Sequence, residues 1–216
     1  MTSDQRFLFI MFSSTPSKMG QFIRRITKNK YNHVSLCIDV EGVTLYSFAR
    51  KYKRHPFYGG FVRESSLRFI HNNKFADIKL CAIPVSNLQY EIVKDLLQMM
   101  ESNKEAYVYN HFSAIGTIVN KRVTVKNAYT CVEFITSVLS IAGIISVAKS
   151  QKICAIKDLE NLLEGHAIYE GTFEQMAFQI NNVGDKFAVN KKLYIGTFKA
   201  FYSNSKLLYS LLRSTI

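Results

Sequence analysis

The residues best placed for chemistry are a thiol and an imidazole. Cys131 lies in Thr130-Cys131-Val132-Glu133, and the Thr130/Glu133 spacing is that of a capping box. The spacing predicts Cys131 as the first residue of a helix. There, unpaired backbone N–H groups and the helix dipole favour a thiolate and can hold an oxyanion. Cysteine is also a common small core residue, and capping alone leaves that alternative open. Cys37 and Cys81 fall within predicted strands and Cys154 between elements, so packing is the expectation for these three. A thiol enzyme needs a base, and the chain offers His33, His55, His71, His111 and His166. Only His33 opens a cleanly alternating strand, which gives an imidazole a rigid seat.

The elements that position these groups are legible in the pattern. Phe7–Phe12 is a short apolar strand. Thr15-Pro16 suits an N-cap followed by a first helical residue, and Met19, Phe22, Ile23 and Ile26 then recur at helical spacing opposite Arg24, Arg25 and Lys28. That predicts a basic amphipathic helix ending near Asn29. His33, Ser35, Cys37 and Asp39 share one face of the next strand, with Val34, Leu36 and Ile38 on the other. A turn at Val40-Glu41-Gly42 leads to a return strand, Val43–Phe48. If Ile38 pairs with Gly42, His33 stands opposite Ser47. Residues 49–74 look loop-rich, with Gly59-Gly60 free to bend. A strand at 75–84 precedes a helix capped by Ser86 and Gln89. The segment 107–119 is aromatic, 121–127 is basic, and the cysteine helix follows, closed by Gly143. A short helix is expected at 156–163. The tail suggests a strand at 193–198 and a helix at 207–212.

Composition bounds the function. With 216 residues, 48% of them hydrophobic, one domain with a substantial core is expected. Four cysteines without CxxC spacing argue against a zinc ribbon or a secreted disulfide framework. The opening apolar run is too short for a signal-peptide core, and Val132–Ala148 is too polar for a membrane span. Together these point to a cytoplasmic chain with free thiols, no metal and no cofactor. A net charge of +12 favours anionic neighbours such as an anionic membrane surface, although charge also serves solubility.

The order Tyr31-Asn-His33-Val-Ser-Leu-Cys-Ile-Asp39, hairpin, then Tyr129-Thr-Cys131-Val-Glu-Phe at a helix start resembles the permuted NlpC-type papain-like superfamily. That group includes YaeF/YiiX-like bacterial enzymes, lecithin:retinol acyltransferase-like proteins and a poxvirus branch. In its members the histidine strand precedes the cysteine helix, as here. The likeness runs over most of residues 6–171 and includes Tyr46-Ser47-Phe48, Gly59-Gly60-Phe61 and Ile168-Tyr-Glu-Gly171. It implies an α+β, circularly permuted papain-like fold, with an antiparallel sheet packed on the helix that carries the nucleophilic cysteine. The domain would span 1–171, with a C-terminal extension at 172–216 packing on it.

The resemblance further implies Cys131 as nucleophile and His33 as general base. A third polar residue on the strand after the histidine orients the ring, and the matching position is Ser47. Serine carries no negative charge there, which departs from the Glu or His usual at that place. Asp39 is six residues from His33, about 20 Å at strand rise, and is a poor substitute. Tyr31 and Tyr129 are the candidate substrate-binding residues. The implied activity is that of a cysteine hydrolase, amidase or acyltransferase working through an acyl-enzyme on a peptide amide or a lipid acyl ester or thioester. A pseudoenzyme that keeps the groove as a binding module is the alternative, on account of Ser47. Nucleic-acid binding, read from charge alone, ranks last because no recognition motif accompanies it.

Overall fold

The computed structural model describes residues 5–38, 44–53, 55, 58–116 and 123–175, with 187 and 209–210. The elements in chain order are β1 (Arg6–Ser13), α1 (Lys18–Thr27), β2 (His33–Cys37), β3 (Leu45–Arg50), β4 (Gly59–Glu64), β5 (Ile70–His71), β6 (Lys74–Phe75), β7 (Asp77–Val85), α2 (Asn87–Ser102), β8 (Val108–Tyr109), α3 (His111–Gly116), β9 (Ala128–Tyr129), α4 (Cys131–Ile141), α5 (Val147–Lys152), α6 (Ile156–Leu162) and β10 (Ala167–Thr172). The Val40–Gly42 turn, Asp39 and the tail segments at 193–198 and 207–212 lie outside the described residues, save 209–210.

Six strands form one sheet in the order β10-β7-β1-β2-β3-β4, with every neighbouring pair antiparallel. The fold is therefore α+β, with an antiparallel sheet. Alternation decides which side of the sheet each residue serves. Val34 and Leu36 of β2 and Phe48 of β3 join Phe134, Ile135 and Val138 of α4 in the main core. Phe48 is its hub, with its ring 5.1 Å from Tyr129, 5.4 Å from Phe134 and 5.9 Å from Phe61. The other side of the sheet buries Met11, Cys37, Leu45, Ile78 and Leu80 beneath Phe69 and Phe173.

Several expectations change in detail. The N-cap of α1 is Ser17, whose hydroxyl accepts from the Gly20 N–H, so the helix begins two residues after Pro16. The 49–74 stretch contains a full strand, β4, in register with β3 from Leu45↔Glu64 to Arg50↔Gly59. Gly59 and Gly60 open that strand. A Cβ on Gly60 would stand 2.3 Å from the Tyr107 carbonyl oxygen, and one on Gly59 2.8 Å from the Tyr109 Cβ. These glycines therefore let β8 lie directly against β4. The hairpin register also differs: Leu36 pairs with Tyr46 and Cys37 with Leu45. Each β2 residue thus meets a partner two places later than expected, which sets Ser47 beside Ser35 and not beside His33. Finally, β10 runs through Thr172, and the Phe173 ring stacks 4.9 Å from Phe69. Phe173, just beyond position 171, thus packs on the sheet.

Among the described residues, no helix is long and apolar enough to cross a membrane.

Candidate functional site

Local sequence places the thiol. Thr130 has the extended conformation of an N-cap; its hydroxyl accepts from the Glu133 N–H at 3.2 Å, and Glu133 accepts from the Thr130 N–H at 2.7 Å. Cys131 is therefore the first residue of α4. The cap satisfies the third helical N–H and leaves those of Cys131 and Val132 with no acceptor among the described residues. Glu133 is itself buried and also accepts from the Ser113 hydroxyl at 2.5 Å. The helix start is thus tied to α3 as well as capped.

His33 is the first residue of β2, where the sheet ends beside the start of α4. Its side chain is within hydrogen-bonding reach of Cys131. Nε2 lies 2.6 Å from Oε1 of Glu64 and 3.4 Å from the Ser35 hydroxyl. Glu64, the last residue of β4, is fully buried and has two further donors. Ser35 donates to its Oε2 at 2.6 Å, and Ser47 to its Oε1 at 2.5 Å.

The electrostatics follow from this geometry. Burial pushes the imidazole down, but the Glu64 charge and the hydrogen bonds to Cys131 and Glu64 outweigh it, raising His33 to about 10. Burial pushes Glu64 up, yet the His33 charge and hydrogen bond, the Arg68 charge and the Ser35 hydroxyl bring it down to about 2. At neutral pH the pair is therefore an imidazolium, part-buried, on a fully buried carboxylate.

Cys131, His33 and Glu64 line one cavity of about 430 Å³, whose walls include Tyr109, Phe48 and Ile23. Tyr109 is half-buried next to Cys131 and Glu133, and desolvation first, then those two groups, hold its phenol protonated. The Phe187 ring, from beyond residue 172, also reaches this cavity. It lies beneath the guanidinium groups of Arg50 and Arg68, at 5.7 and 4.5 Å.

The structure thus brings Cys131 and His33 to one cavity and sets Glu64, not Ser47, against the imidazole. Ser47 makes no hydrogen bond to the imidazole; its hydroxyl donates to Glu64, because the two-residue shift in register sets it opposite Ser35. Tyr31 lines the cavity, but its hydroxyl donates to Glu170 of β10 at 3.0 Å, so that proton is not available to a bound substrate. Tyr129 is not among the cavity-lining residues, since its ring packs edge-on against Phe48. Glu64 and Tyr109 are the site residues that sequence reasoning missed. Glu64 carried no periodic signal, since Phe61-Val62-Arg63-Glu64 is two apolar residues followed by two charged ones.

Among the described residues, no group of three or more His, Cys, Asp or Glu side chains is placed to hold a metal ion. Compared with family models, with curated proteins and with solved structures, the chain matches none of them.

Proposed function

We propose that the chain is a thiol-dependent acyl enzyme with a permuted papain-like arrangement, in which Cys131 is the nucleophile, His33 the acid–base and Glu64 the orienting carboxylate. The observation that carries this reading is the Cys131–His33–Glu64 array at a helix N-terminus within a 430 Å³ cavity.

The Cys131 sulfur, its proton held by His33, attacks an acyl carbon and forms a C–S bond. The carbonyl oxygen takes up the negative charge and meets the N–H groups of Cys131 and Val132. When this intermediate collapses, the bond to the leaving amine, alcohol or thiol breaks and His33 delivers its proton to that group. An acyl-thioester remains on Cys131. Water or another nucleophile then gives a proton to His33, attacks the thioester and releases the thiol. Glu64 keeps the ring in one orientation and stabilises its charged form throughout.

The bond is an amide, ester or thioester of a peptide or lipid acyl substrate. A cytoplasmic setting is part of the proposal and is supported by four free cysteines. The pseudoenzyme alternative rested on the uncharged Ser47, and the carboxylate from β4 removes that ground.

Incubation with an activated acyl thioester followed by intact and peptide mass spectrometry tests the proposal. The expected result is one acyl group on Cys131, lost in Cys131→Ala and strongly reduced in His33→Ala. Acylation spread over Cys37, Cys81 and Cys154 to the same extent would overturn it.

A further inference from the structure

Helix α1 is amphipathic, yet its apolar side is not in the core. Phe22, Ile23 and Ile26 are 59%, 36% and 45% exposed, and all three line the cavity that holds Cys131. A helix whose largest apolar residues face water beside a reactive cleft is either covered by something or seated on something. Its basic residues divide into two sets. Arg24 turns inward, donating to the Thr15 carbonyl and to Asn32 Oδ1, both at 2.9 Å, which fixes the helix to the approach to β2. Lys18, Arg25 and Lys28 are exposed and meet no acidic side chain among the described residues, and the first turn of the helix has no acid. Lys18 and Arg25 stand four residues before and three after Phe22, so positive charge borders the apolar patch on the helix surface.

We propose that α1 is an interfacial helix that seats the mouth of the Cys131 cleft on an anionic lipid bilayer. Phe22, Ile23 and Ile26 enter the acyl boundary while Lys18, Arg25 and Lys28 meet lipid phosphates and carboxylates, the arrangement by which short amphipathic helices lie in a membrane surface. An acidic peptide or a nucleic acid would answer the charges but leave the three apolar side chains in water. A second copy would bring another +12 chain against the same basic rim. The inference takes its meaning from the acyl chemistry proposed for the cleft, but it concerns partition, which needs no turnover.

Co-sedimentation of the full chain with vesicles of phosphatidylcholine and phosphatidylserine in equal parts, against phosphatidylcholine alone, tests it. Binding to the anionic vesicles should weaken as salt rises. Phe22→Ser with Ile26→Ser should reduce it by at least about tenfold, and Arg25→Gln or Lys28→Gln by about fivefold each. Both serine positions are exposed, so circular dichroism should show the fold unchanged. No binding to anionic vesicles, binding indifferent to the paired serine change, or self-association abolished by that change would each overturn the proposal. If vesicles fail to bind while Cys131 still acylates, only the membrane inference falls.

Discussion

Glu64 Oε1 stands 2.6 Å from His33 Nε2, although the two residues are 31 positions apart and lie on strands separated by β3. The contact ties a strand-end histidine to a buried carboxylate, and it makes the site sensitive to pH in a definite direction.

His33 is raised from 6.5 to about 10, so the folded chain holds that proton where the unfolded chain releases it. The resulting stability is complete below pH 6.5 and is lost as pH rises toward 10. Glu64 is lowered from 4.5 to about 2, so on the acid side the stability is complete above 4.5 and is lost on falling toward 2. The two shifts describe one interaction and count once. Thermal melts should therefore fall between pH 6.5 and 10 in the wild type, and Glu64→Gln should flatten that slope. An unchanged slope in the variant would assign it to other groups.

Ser47 supports the site through Glu64. Ser47→Ala removes one charge-assisted hydrogen bond, worth about 1.5–3 kcal/mol, but leaves Glu64 in contact with Ser35 and His33. Iodoacetamide labelling of Cys131 should slow by less than about tenfold in Ser47→Ala and by more in Glu64→Ala. Equal losses in both variants would mean that Ser47 does more than steady the carboxylate.

The cap of α4 is both structural and chemical. Thr130→Ala should cost about 1 kcal/mol in stability and slow Cys131 labelling, because the helix start loses its fixed geometry. In the wild type, Cys131 should label faster at neutral pH than Cys37, Cys81 or Cys154. Peptide mass spectrometry after limiting reagent reads both effects, and labelling led by another cysteine would count against an activated Cys131.

What could be read from the sequence was local. Thr130 and Glu133 are three residues apart, so the helix start and the position of Cys131 follow from nearest-neighbour chemistry. The alternation around His33 likewise fixes its face. Glu64 could not be read, because its role depends on the register of two successive strand pairs, and a shift of two residues at β2–β3 gave its place to Ser47. The charges at Arg63 and Glu64 also disguised β4 as loop. In α1, the spacing of Phe22, Ile23 and Ile26 announced an apolar face, but periodicity carries no information on what that face meets.

The return of the chain at β10 has a consequence for colloidal behaviour. β7 is nine residues long, and β10 covers its outer edge only from Asp77 to Cys81. The uncovered part contains Pro84, which has no N–H to offer an incoming strand. One half of this edge is therefore capped by the chain's own strand and the other is blunted by proline. Among the described residues, the edge left on that side for a neighbouring chain is that of β10, which is six residues long and broken by a register shift between Ala167 and Tyr169.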